Sequence, residues 1–225
     1  MGGFQKVWEE LRREGKHLTK YPYDSVVSFV FRYAPKNKPR NQVNVLDVGC
    51  GIGNHLWFLA REGFNAYGID GSETAVKLAT ELLKEFGVSA DVRVFDFTEP
   101  LPYEDEFFDL VIDRSSLSSI NYESARKVIN EIYRVLKPQG HFLFTPYSKT
   151  HTSYIKSVTT ATESFVEVKM GSLGGTGFVC FYDESDIRQL FPRDKWELCA
   201  LIESISYDKL SGNIDGGWKV IARKR

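Results

Sequence analysis

The chain has 225 residues, with 29 Lys plus Arg against 30 Asp plus Glu and a formal net charge of -1. That length buries one sizeable core, and the balanced charge leaves no basic footprint for gripping a nucleic-acid backbone. Three widely spaced cysteines (Cys50, Cys180, Cys199), no run long enough to span a membrane and no apolar secretion core point to a soluble cytoplasmic protein with reduced thiols.

At the amino terminus, Lys6 stands where a lipidation pattern beginning at Gly2 needs Ser or Thr. Phe4, Val7, Trp8 and Leu11 recur at helical spacing. After Tyr21-Pro22-Tyr23, Asp24 is placed to cap a second helix carrying Val26, Val27, Val30, Phe31 and Ala34, which Pro35 ends. This amphipathic pair forms a helical cap over residues 1–40. It suits a lid over a ligand cleft or a packing layer on a sheet edge, and Tyr21 and Tyr23 in the link are candidate ligand contacts.

From Val43 the pattern alternates strand and helix, as in a parallel sheet covered on both faces. Val43 to Val48 reads as a buried strand, followed by Gly49, Cys50, Gly51 and Gly53 in a tight turn and a helix from Asn54 to Glu62. Glycine lets such a turn take positive φ and lets a ligand lie against bare backbone, while the helix start favours an anionic group. A dinucleotide fingerprint requires glycine where Asn54 stands, which disfavours a nicotinamide cofactor. Asp47 adds a carboxylate at the strand end, useful beside an ammonium or hydroxyl.

Asn65 to Asp70 is the second strand. Asp70 follows the turn by about the twenty residues that place a carboxylate on a ribose diol; Gly71 and Ser72 open the next helix, with Ser72 as its cap. A third strand, Asp91 to Phe95, leads to Asp96-Phe97, where an acceptor beside an aromatic suits an exocyclic amine on a flat ring. The fourth strand, Phe107 to Asp113, delivers Asp113 and Arg114 to the carboxyl edge. A helix carrying Ala125, Val128, Ile129, Ile132 and Val135 stops at Leu136 to Gly140, before a fifth strand from His141 to Pro146. Residues 147–182 form a long Ser-, Thr- and Gly-rich insertion with two short strands at Ser164 to Met170 and Phe178 to Phe181. Such insertions commonly bind, and Tyr147, His151, Tyr154 and Tyr182 are its candidate contacts. Asp183 caps a helix to Leu190, and strands at Trp196 to Ser204 and Trp218 to Ala222 close the chain.

The run L-D-V-G-C-G-x-G resembles the first motif of the class I S-adenosylmethionine-dependent methyltransferases. Pro102 to Ile112 and the run E-I-Y-R-V-L-K-P-Q-G-H-F-L-F resemble further family signatures, so the resemblance covers Val43 to Thr145. It implies a Rossmann-like, doubly wound α/β fold: a mostly parallel seven-stranded sheet, helices on both faces, an N-terminal helical lid and an acceptor loop inserted after the fifth strand. The chain is then a single domain, with a cofactor-binding core at 41–146, the acceptor insertion at 147–182 and a closing segment at 183–225. The implied cofactor is S-adenosyl-L-methionine, released as S-adenosyl-L-homocysteine. Its contacts are Asp47, Gly49, Cys50, Gly51 and Gly53 in the turn, then Asp70, Gly71, Asp96, Phe97, Asp113 and Arg114; Asp96 takes the adenine amine and the next amide a ring nitrogen.

Methyl transfer from a sulfonium is an in-line displacement that alignment alone accelerates. A hydroxyl acceptor also needs a base, for which His151 is the first candidate and Asp113 the second. Asp-Arg-Ser-Ser after the fourth strand departs from the N-P-P-Y type of amino-methylating nucleic-acid enzymes. The amino-terminal W-E-E-L-R-R-E-G-K-H segment is similar to small bacterial-type methyltransferases associated with surface-polysaccharide or modified-sugar synthesis. The expected acceptor is therefore a small polar metabolite bearing a hydroxyl or amine, with no metal, nucleic acid or membrane involved. A noncatalytic S-adenosylmethionine-binding module and a nicotinamide-dependent oxidoreductase are the alternatives.

Overall fold

The computed structural model describes residues 3–158 and 163–225; the reading of Gly2 and the insertion residues 159–162 lie outside them. In chain order the elements are α1 (Val7–Arg13), α2 (Asp24–Tyr33), β1 (Asn44–Val48), α3 (Asn54–Arg61), β2 (Asn65–Asp70), α4 (Glu73–Glu85), β3 (Asp91–Val94) and β4 (Phe108–Asp113). There follow α5 (Tyr122–Val135), β5 (Leu136–Phe144), β6 (Tyr147–Ser148), α6 (Thr152–Ile155), β7 (Phe165–Val168), β8 (Gly177–Tyr182), α7 (Glu184–Leu190), β9 (Trp196–Asp208) and β10 (Asn213–Lys224).

The sheet runs β3-β2-β1-β4-β5-β10, parallel as far as β5, with β10 antiparallel to β5 and β9 antiparallel to β10. Successive residues of each central strand serve opposite faces, as the pleat requires. Val45, Leu110, Ile112 and Leu143 meet Val26, Phe29 and Val30 of α2 and Leu56 and Leu59 of α3. Leu46, Val111, Phe142 and Phe144 meet Val128, Ile129 and Ile132 of α5 and Ile187 and Leu190 of α7. Each fully buried aliphatic side chain of these layers contributes on the order of 1.5–3 kcal/mol.

The strand count differs from the expected seven because the insertion joins the sheet, giving ten strands among the described residues. Tyr147 pairs with both Gly217 of β10 and Phe181 of β8, and β7 lies antiparallel on β8. A small apolar cluster of Tyr154, Val166, Val168, Val179 and Phe181 holds this flap together.

Ser72 accepts from the Ala75 N–H as the α4 cap, and Asp183 makes a reciprocal capping box with Asp186 at α7. Asp24 instead occupies the first turn of α2; Tyr23 is the cap residue there and makes no side-chain cap bond. Among the described residues no helix is long and apolar enough to cross a membrane. All three cysteines are free thiols.

Candidate active site

The turn after β1 holds Gly49, Gly51 and Gly53 at φ +70°, +53° and +79°, conformations that side chains rarely tolerate. The Gly49 and Cys50 N–H groups donate to the Ile69 carbonyl, at 2.8 and 3.0 Å, which seats the turn on the tip of β2. Close approach also excludes a side chain. A Cβ on Gly49 would lie 2.2 Å from Ser116 Oγ, and one on Gly71 would lie 2.3 Å from Phe4 Cδ2.

Asp70 braces this turn from the neighbouring strand. Its Oδ2 accepts from Gly51 N at 2.8 Å and its Oδ1 from Ser72 N at 2.9 Å, fixing the carboxylate where the turn meets α4. Burial raises its pKa, while the two N–H donors and the charge of Arg12 oppose that shift.

A cavity of about 210 Å³ opens over these residues. Gly49, Cys50, Gly51, Asp70, Gly71 and Phe97 line it, and Arg114, Ser115, Ser118 and Tyr147 line its far end. The roof is the amino-terminal segment: Phe4, Gln5, Trp8 and Arg12 face the cavity. Glu9 fixes α1 in that position by accepting from Ser72 Oγ and Thr74 Oγ1, both at 2.6 Å, at the start of α4. Those hydrogen bonds, led by Ser72, hold the Glu9 carboxyl down at about 2. The Gln5 carboxamide ties the roof to the Ser119 carbonyl and to both backbone groups of Phe178 in β8. Of the two placements open from the sequence, α1 takes the lid.

Several expected contacts lie elsewhere. Asp47 is 1% exposed behind the turn, its Oδ2 2.9 Å from His55 Nδ1, so it orients that ring and does not line the cavity. Gly53 caps α3 and packs against Ala79. Asp96 is already engaged: Oδ2 accepts from Phe4 N at 2.9 Å, and Oδ1 accepts from Thr98 N and Oγ1. Asp113 is fully buried, with Oδ1 accepting from Leu117 N at 2.9 Å and burial lifting its pKa to about 7. It supports the turn after β4 from within the core, which corrects its reading as a cavity base.

The expected base His151 needs correction for a different reason. Its Nδ1 accepts from Ser153 N at 3.0 Å as the cap of α6, and its Nε2 faces Asp215 Oδ1 at 3.3 Å, so both nitrogens are occupied away from the cavity. Of the candidate tyrosines, Tyr23 and Tyr147 are on the wall. Tyr21 is exposed and edge-on to Trp57. Tyr154 donates its hydroxyl to the Glu163 carbonyl, and Tyr182 is core.

The sequence reading missed Phe4, Trp8, Arg12 and Ser118 on the wall. The amphipathic spacing of Phe4, Trp8 and Leu11 signalled a helix face, but nothing local said what it would cover.

The fold overlays on a SAM-dependent methyltransferase from Methanosarcina mazei with a TM-score of 0.73 and 21% identity, covering 91% of this chain and 98% of that one. Sarcosine/dimethylglycine N-methyltransferase of Aphanothece halophytica is 30% identical over 187 residues, 79% of this chain and 64% of its own length. EEF1A lysine methyltransferase 2 of Danio rerio is 32% identical over 124 residues, so the match spans 52% of this chain and about half, 53%, of that relative. Sheet order, bare turn and these likenesses together define a class I S-adenosylmethionine-dependent methyltransferase. The chain belongs to the methyltransferase domain family, which it matches over residues 39–190.

Proposed function

We propose that the chain methylates a small polar acceptor, bearing a hydroxyl or an amine, inside the cavity between the Gly49 turn and Tyr147. The observation that carries this reading is the extent of the cleft. The cleft does not stop at the cofactor turn but continues past Gly49 to Ser118 and Tyr147, under a roof formed by α1 and the β8 flap. A metabolite fits such a space, whereas a noncatalytic binding module calls for a filled or flat cleft.

The residues present fit S-adenosylmethionine, which supplies an electrophilic methyl on a sulfonium. Gly49 and Gly51 offer bare backbone, the start of α3 offers N–H donors to a carboxylate, and Arg12 sits 3.2 Å from the position of a Cβ on Gly51. Asp70, fixed from both sides, presents its remaining lone pairs to a diol. Phe97 supplies a flat apolar wall. Asp96 Oδ2, the oxygen an amine would use, already accepts from the Phe4 N–H, so the amine would share or displace that donor.

Alignment and dehydration are the main contributions of these side chains. Trp8 donates Nε1–H to Ser119 Oγ at 3.1 Å, tying the roof to the segment after β4. With Asp113 and His151 placed elsewhere, His17 and His55 are the histidines on the cavity wall; Asp47 orients His55 through Nδ1, and among the described residues its Nε2 has no hydrogen-bond partner. That arrangement suits accepting a proton from an ammonium or hydroxyl.

The test is incubation with methyl-labelled S-adenosylmethionine and, separately, a fractionated metabolite extract or whole protein from the same extract. Label in the small-molecule fraction supports the reading; label confined to protein sinks it.

A further inference from the structure

Arg114 follows the buried tip of β4 and lies on the cavity wall. Its guanidinium stacks over the Tyr23 ring, 4.2 Å from the centroid, and donates to Ser115 Oγ. Tyr147 lies on the same wall, and burial, the largest influence on its hydroxyl, raises its pKa while the nearby Arg114 charge opposes that shift. Among the described residues no carboxylate forms an ion pair with Arg114. Its neighbour Asp113 turns away, toward the Leu117 N–H.

A guanidinium has five N–H donors in a planar fork suited to two oxygens of one anion. Here the fork is held by neutral groups and one aromatic face. We propose that Arg114 is the anchor for an anionic group, a carboxylate or a phosphate monoester, carried by the methyl acceptor. This rests on the small-acceptor reading above and narrows it to anionic metabolites.

Three further observations support the assignment. Ser118 is 1% exposed on the same wall, and among the described residues its hydroxyl has no hydrogen-bond partner, so it is placed to donate to an anion. The wall's charge is unbalanced: two guanidiniums, Arg12 and Arg114, face one carboxylate, Asp70, which already holds two N–H groups. Arg12 is also partly committed, donating to the Lys16 and His17 carbonyls, which leaves Arg114 the freer cation. Finally, Ser115 takes φ +63°, an unfavourable conformation for a non-glycine residue, and is held there by donating to the Thr145 carbonyl at 2.8 Å.

Register separates this anchor from the donor seat, so Arg114, which the family resemblance counted among the donor contacts, is assigned to the acceptor instead. Val48 of β1 pairs with Ile69 of β2 on one side and with Asp113 of β4 on the other. Asp70 and Arg114, each one residue further on, therefore stand on opposite flanks of the glycine turn. A donor whose ribose met Asp70 would be held on that flank, leaving the Arg114 flank for the acceptor.

The test uses the full chain saturated with S-adenosyl-L-homocysteine and titrated with sodium acetate, sodium phosphate or acetamide, at ionic strength matched with sodium chloride. Acetate or phosphate is expected to raise Tm beyond the chloride control, the stronger of the two naming the anion, while neutral acetamide does not. Arg114→Gln is expected to lose that rise, and Arg114→Lys to keep part of it, with binding of S-adenosyl-L-homocysteine changed less than twofold in both. Each variant is compared with its own chloride control, so an altered baseline stability does not enter. No rise with either anion, the same rise in Arg114→Gln, or a tenfold loss of S-adenosyl-L-homocysteine binding in that variant would each overturn the proposal. In the labelled-donor incubation, an anionic small-molecule product supports it. A neutral or cationic product removes the proposal but leaves the small-acceptor reading intact; label confined to protein removes both.

Discussion

The backbone N–H of Phe4 donates to Asp96 Oδ2 at 2.9 Å, so the chain's own amino-terminal arm holds the carboxylate that the family resemblance assigns to an adenine amine. The Phe4 ring meanwhile fills the space above Gly71. An internal competitor lowers apparent affinity by the fraction of molecules in which it is seated. Deleting residues 1–4 leaves Gln5 and Glu9 to hold the lid and is expected to speed association of S-adenosyl-L-homocysteine about threefold or more. Stopped-flow measurement of the on-rate checks this; an unchanged rate would show that the arm does not stand in the path.

His151→Ala is expected to cost about 1–2 kcal/mol of stability, the value of a lost helix cap and a buried hydrogen bond, with methyl transfer changed less than about twofold. Urea unfolding and the labelled-donor assay measure the two effects separately. A large fall in turnover at unchanged stability would return His151 to the chemistry.

The contrast between His151 and Asp70 shows where sequence was informative. Asp70 is set by local order: a strand, a turn and a cap within a few residues, and β2 runs from Asn65 to Asp70 as its pattern suggests. His151, Tyr154 and Tyr182 look like polar binding surface in sequence, but distant partners decide their burial. Asp215 of β10, far along the chain, meets the His151 ring, and Tyr182 packs edge-on to Phe144. The β9–β10 hairpin extends well beyond its apolar runs, to Asp208 and from Asn213, because continuous pairing satisfies backbone groups whose side chains gave no strand signal. The lid was legible as a helix. Its position depends on Glu9 meeting Ser72 and Thr74, a long-range contact that spacing does not encode.

Asp113 gives stability a distinctive pH dependence. Burial raises its folded pKa to about 7, whereas an unfolded aspartate titrates near about 4. The folded state thus binds the extra proton, and the associated stability is present in full below pH ~4 and is lost as pH rises through about 7. Asp113→Asn is expected to remove this loss, so the difference in unfolding free energy between wild type and variant should shift by on the order of 1–3 kcal/mol between pH 5 and 8. A pH-independent difference would place the ionisation elsewhere.

Gly49→Ala adds a Cβ at φ +70° and 2.2 Å from Ser116 Oγ. The expected result is a loss of at least about 1 kcal/mol in stability together with weaker donor binding, since the turn must shift off β2. Circular-dichroism melts and calorimetry on the same sample report both; a variant indistinguishable from wild type would mean the turn has slack that the geometry denies.

Calorimetric titration of S-adenosyl-L-homocysteine into wild type and Asp70→Ala addresses the donor seat itself. Wild type is expected to bind one equivalent, and Asp70→Ala to bind about tenfold or more weakly, as loss of charge-assisted hydrogen bonds to a diol requires. Equal affinity in the two proteins, or tighter binding of NAD than of S-adenosyl-L-homocysteine by wild type, would contradict the placement of the donor between the Gly49 turn and Asp70.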